Sequence, residues 1–70
     1  MVRLRVKEVL REKKVSMAKL SRMADLSYNT VQALCRNPYH EVNITTLNRI
    51  ADALHIRVAD LLEEVDGKPD

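Results

Sequence analysis

Residues Ser16 to Arg36 read SMAKLSRMADLSYNTVQALCR, and this stretch decides the fold. It spells two short helices joined by a tight turn. The first carries Leu20, Met23 and Ala24 on one face. The turn is Asp25, Leu26 and Ser27. The second seats Val31, Leu34 and Cys35 inward and shows Tyr28, Asn29, Gln32 and Arg36 on its other face. Those four stand at i, i+1, i+4 and i+8, so they project together. Asn, Gln, Arg and Tyr all hydrogen-bond to base edges or phosphates. An apolar seat beneath an outward hydrogen-bonding stripe suits a helix laid in the major groove of DNA.

Working outward, each flank supplies more helix. Val2 to Val6 alternates apolar and charged residues, the period of a strand, and from about Arg5 the pattern turns helical with Val6, Val9 and Leu10 on one face. Ser16 and Ser27 stand where a hydroxyl caps the next helix, and Asn43 does the same further on. Pro38 stops the helix that ends at Arg36. After Asn43, the residues Ile44, Leu47, Ile50, Ala51 and Leu54 form one stripe at 3.6-residue spacing, the clearest helix in the chain. His55 and Ile56 break it. Val58, Leu61, Leu62 and Val65 then have the spacing of a fifth, shorter helix, and residues 66–70 read as a flexible polar tail.

Seventy residues make one domain, with a core expected over about residues 5–65. With no Trp or Phe, that core must be built from Leu, Ile, Val, Met and Ala. Apolar runs stay far below the ~20 residues a bilayer span needs, and no signal-peptide pattern is present. One cysteine excludes an internal disulfide. These absences favour the cytoplasm. Net charge is only +2, but its distribution is uneven. Residues 1–36 hold nine Lys/Arg against three acids, a balance of +6; residues 37–70 balance at −4. The basic half is the half with the polar stripe, as phosphate neutralisation demands.

The segment resembles the helix-turn-helix of the Cro/lambda-repressor (XRE-type) family of DNA-binding domains over roughly residues 5 to 65. The residues that carry the likeness are Ser21, Leu26, Ser27, Val31 and Leu34. A second block, Thr46 to Ile56 (TLNRIADALHI), is similar to the family's T-L-x-x-I-A-x-A-L-G-V. Ala59 to Leu62 follow it like the family's last short helix. The resemblance implies an all-α, compact five-helix domain, with a short N-terminal strand as an optional addition. Three positions depart from the family. Met17 stands where Gln usually touches a phosphate, and Asp25 and His55 stand where Gly is usual. Both sites favour a left-handed backbone, which Asp tolerates better than most residues.

The same resemblance assigns roles. Tyr28, Asn29, Gln32, Ala33 and Arg36 lie where base readers lie, with Ala33 free to meet a thymine methyl. Met17, Lys19, Arg22, Ser27, Thr30, Asn37, Tyr39 and His40 are the candidate phosphate contacts. The plainer alternatives are a solvated helix face for the stripe, a solubilising surface for Lys19 and Arg22, and a Tyr39 ring packed on the core. Cys35 reads as a buried structural thiol. His40 and His55 have no ligand spacing with it, so no metal is expected. No triad and no Gly-rich phosphate loop stand out, and no cofactor, small-molecule ligand, membrane or catalytic activity is expected.

The function implied is sequence-specific binding of double-stranded DNA by a transcriptional regulator, a repressor that occupies its operator. With no sensor segment, control would come from abundance, a partner chain or dimerisation. Two other roles use this fold: the DNA-binding antitoxin of a toxin–antitoxin pair, and an adaptor that binds protein instead of DNA. The chain has almost no extra tail for a toxin, and the basic half argues against the adaptor. A homodimer is expected, built from the Val2–Val6 strand, the last helix, or both. The competing arrangement folds Val2 and Leu4 back on their own chain and uses Leu61 and Leu62 to close the monomer core.

Overall fold

The computed structural model describes residues 2–65; the expected tail at 66–70 lies outside them. Strand β1 (Val2–Leu4) leads into four helices: α1 (Val6–Lys13), α2 (Met17–Met23), α3 (Tyr28–Arg36) and α4 (Ile44–Leu54). A 3-10 turn (Val58–Leu61) and strand β2 (Leu62–Glu64) close the chain.

Three helix starts are fixed by side-chain caps. The Ser16 hydroxyl accepts from the Lys19 N–H at 3.0 Å, Ser27 from Thr30 at 3.1 Å, and the Asn43 side-chain carbonyl from Thr46 at 2.8 Å. Three helix ends share one device as well. Lys14, Asp25 and His55 adopt φ of 57°, 57° and 58°, the left-handed region. Each is followed by an apolar residue, Val15, Leu26 or Ile56, that packs against the core. The N–H of that residue reaches back five positions, to Leu10, Ser21 and Ala51 respectively, at 2.9 to 3.0 Å. This is the Schellman ending, in which a left-handed residue frees the next one to seat an apolar side chain. Asp25 and His55 meet the expectation; Lys14 extends it to α1.

The core consists of Leu, Ile, Val and Ala from every helix, joined by Leu4 from β1 and Leu61 from the 3-10 turn. Among the described residues no polar or charged side chain is buried. Cohesion therefore comes from apolar burial, worth about 1.5–3 kcal/mol for each large side chain fully removed from water. Two expected core members fall outside it. Met23 is 44% exposed at the end of α2, and Ile44 is 66% exposed at the start of α4.

The five-helix expectation needs correction. Val58, Leu61, Leu62 and Val65 do not share a helix. A lone turn of helix is marginal by itself, and here the backbone has a better partner. β2 pairs antiparallel with β1, setting Val2 opposite Glu64, Arg3 opposite Glu63 and Leu4 opposite Leu62. The Arg3 guanidinium reaches Glu63 at 3.0 Å and also Glu8 on α1. The Arg5 N–H donates to the Leu61 carbonyl at 2.7 Å. The first strand thus folds back on its own chain. Its other side is held too: the Leu4 N–H donates to the Pro38 carbonyl at 2.7 Å, just past α3.

Candidate nucleic-acid interface

α3 turns a single side to the core because its apolar residues share that side. Val31 and Leu34 are buried, while Tyr28, Asn29 and Arg36 are exposed and Gln32 and Ala33 are half-buried. The stripe expected from spacing is therefore present on a capped helix whose back is seated in the core. Cys35 is half-buried, short of the full burial expected of it. Burial pushes its thiol above the ordinary range, with Lys7 drawing it down and Glu8 up, so it remains a neutral thiol.

The candidate phosphate contacts divide into groups. Met17, at the start of α2, lines the same groove as Gln32 and Arg36, so α2 and α3 are brought together there. Ser27 and Thr30 are tied to each other, their hydroxyls 2.8 Å apart, which leaves them less hydrogen-bonding capacity for a ligand. Lys19 and Arg22 are exposed on α2. Asn37, Tyr39 and His40 form one tight turn: the Asn37 side-chain carbonyl accepts from the Tyr39 N–H at 3.0 Å, and the His40 N–H donates to the Asn37 carbonyl at 3.0 Å. The Asn37 amide NH₂ is thereby aimed by its own loop. Tyr39 is 51% exposed, so its ring does not pack on the core. His40 Nδ1 lies 2.6 Å from the Glu41 carbonyl. With Nδ1–H donating there, Nε2 of a neutral ring is an acceptor, and His40 can donate to a phosphate only as the imidazolium.

The ion pairs sort the cations of the basic half. Arg3 and Arg5 are engaged with Glu8, Glu63 and Glu12. Among the described residues Lys7, Arg11, Lys13, Lys14, Lys19, Arg22 and Arg36 have no acidic partner. The unpaired charge therefore gathers on α1, α2 and α3.

Two residues were not legible as part of the site. Arg49 of α4 donates to the Asp25 carbonyl at 3.1 Å, with the Asp25 carboxylate at 3.8 Å. It fastens the turn between α2 and α3 to the helix behind. Its partner is 24 residues away and no local pattern announces it. Lys7 lies on α1 beside the α3 groove; sequence shows it only as one more basic residue.

The model of the Cro/C1-type HTH DNA-binding domain matches residues 5–67. The chain belongs to that family. It is thus a helix-turn-helix DNA-binding domain, and the family is one of binding domains, not of enzymes. A crystal structure of a candidate DNA-binding protein from Bacteroides fragilis is similar at 27% identity with a TM-score of 0.79. The match covers 90% of this chain and 100% of that one. A search of curated proteins finds no match. Among the described residues no group of His, Cys, Asp and Glu could hold a metal ion, and no helix is long and apolar enough to cross a membrane.

Proposed function

We propose that this domain is a sequence-specific transcriptional repressor that acts by occupying its operator as a homodimer. α3 enters the major groove, with Tyr28, Asn29, Gln32, Ala33 and Arg36 toward base edges. Lys19, Arg22, Ser27, Thr30, Asn37, Tyr39 and His40 hold the flanking phosphates, Met17 lies against the same backbone without donating to it, and the bound protein blocks polymerase. The observation that supports this reading is the exposed polar stripe of α3, seated from behind by Val31 and Leu34 and flanked by unpaired cations. Dimerisation is supported by size: one short helix reads few base pairs, and two related by a dyad read half-sites about 34 Å apart.

Selection from a random duplex library, followed by binding isotherms on selected and scrambled DNA, tests this. A palindromic consensus and a two-to-one stoichiometry are the expected results. Gln32 can pair bidentately with adenine, an interaction that discriminates by roughly 1–3 kcal/mol. Gln32→Ala should relax preference at one base pair per half-site and leave affinity for scrambled DNA nearly unchanged. Equal losses on both duplexes would remove Gln32 from the base readers.

A further inference from the structure

Beside the exposed face of α3 lies a groove of about 520 Å³, between α1, the start of α2 and the second half of α3. It is lined by apolar and sulfur-bearing groups, Leu10, Met17 and Cys35 among them, and by the polar groups of Lys7, Ser16, Gln32 and Arg36. The two sets differ in chemistry. Aliphatic carbon, a thioether and a neutral thiol offer nothing to a bare phosphate, which would lose its hydration there. Two cations without ion-pair partners offer nothing to a purely apolar guest. A deoxyribose–phosphate unit meets both demands, with a carbon-rich sugar edge and an anion beside it. Gln32 and Arg36 belong both to the stripe and to the groove. DNA lying along the stripe therefore carries one backbone strand past the groove mouth.

We propose that this groove seats one sugar–phosphate unit of the DNA backbone, with Lys7 holding the phosphate and Met17 and Cys35 packing against the deoxyribose. The inference rests on α3 docking to DNA as described above, and it adds a contact from α1 to that docking. It also gives Met17 a role suited to its chemistry. A thioether has no hydrogen to donate, so Met17 acts by packing on sugar carbon. Lys13, on the same helix, borders a different depression that it shares with Met23, Ala53 and His55, and takes no part.

The test is a salt series on the full chain with its selected duplex, using Lys7→Ala, Lys7→Arg and Lys13→Ala. Each neutralised phosphate contributes about 0.9 to the slope of log K against log salt. Lys7→Ala should lower that slope by about one and weaken binding to selected and scrambled duplexes by the same factor. Lys7→Arg should restore the slope, and Lys13→Ala should keep it. Cys35 is the sole cysteine, so its alkylation by iodoacetamide at alkaline pH reports on the groove directly. Saturating duplex should slow it at least tenfold. A parent protein that binds DNA while Lys7→Ala keeps the slope, or while Cys35 alkylates at its free rate, would overturn the groove contact and leave the function standing. A parent that binds no duplex would overturn both.

Discussion

The recognition segment, residues 16–36, and the closing segment, β1 with the 3-10 turn and β2, are built by opposite means. In the recognition segment the interactions that start and end the helices are local, though Arg49 braces the turn from 24 residues away. Ser16 caps the residue three ahead, Ser27 does the same, and Leu26 reaches back five positions to Ser21. In the closing segment the strand pairing joins residues about sixty apart, as with Arg3 and Glu63, and Leu4 reaches Pro38 as well. Local rules can be read from one stretch of chain; a strand pair needs both strands to be read at once.

The largest expected effect tests whether the two segments share one core. Leu20 and Leu61 are both fully buried. Leu61→Ala should cost ~2–5 kcal/mol, as much as Leu20→Ala. For a domain this small that is most of its stability, so chemical denaturation would show both variants largely unfolded. A Leu61→Ala loss under ~1 kcal/mol would mean that the closing segment is an appendage. A middle-sized effect separates local from distant bonds. Ser27→Ala removes the cap of α3 and should cost about 1 kcal/mol, with weaker DNA binding because the start of the reading helix frays. Arg3→Ala, which removes the cross-strand charge pair, should leave the melting curve unmoved, since ion pairs at the surface contribute little. The smallest effect concerns the helix ends. Lys14→Gly and His55→Gly relieve a left-handed backbone at a residue with a Cβ, while adding freedom to the unfolded chain. The net gain should be about 0.5 kcal/mol at each, seen as a higher denaturation midpoint. A loss at either would show that its side chain contributes more than its backbone strain costs.

These contrasts explain what was legible. The caps at Ser16, Ser27 and Asn43, the left-handed Asp25 and His55, and the seat of α3 follow from neighbours within a few residues. Lys14 was equally readable from the polar-then-apolar pair Lys14 and Val15, had the same ending been sought in α1. Ile44 and Met23 carry the helical period yet are exposed, and periodicity does not say where a helix stops touching its neighbours. Val58, Leu61, Leu62 and Val65 have helical spacing, but only Val58 and Leu61 share the 3-10 turn, and β1 draws Leu62 into extended pairing. The polar stripe was placed on α3 by spacing, and its proposed DNA-facing role by the family resemblance. Lys7 and Arg49 were not legible in this way, because each acts on an element far along the chain.

The hydrogen bond from Leu4 to the Pro38 carbonyl has a further consequence. It ties the loop behind α3 to the scaffold through main-chain atoms only. Any residue supplies a carbonyl, so the side chains of Asn37, Tyr39 and His40 are exempt from holding the loop in place through that tether. Those of Tyr39 and His40 can change while the loop keeps its anchorage; the Asn37 side chain still shapes the turn by accepting from the Tyr39 N–H. The exposed stripe of α3 has the same licence, since Val31 and Leu34 hold the helix from behind. The domain therefore separates the exposed face of α3 from how it stands, and under the proposed function that face can be changed by single substitutions without first restabilising the fold.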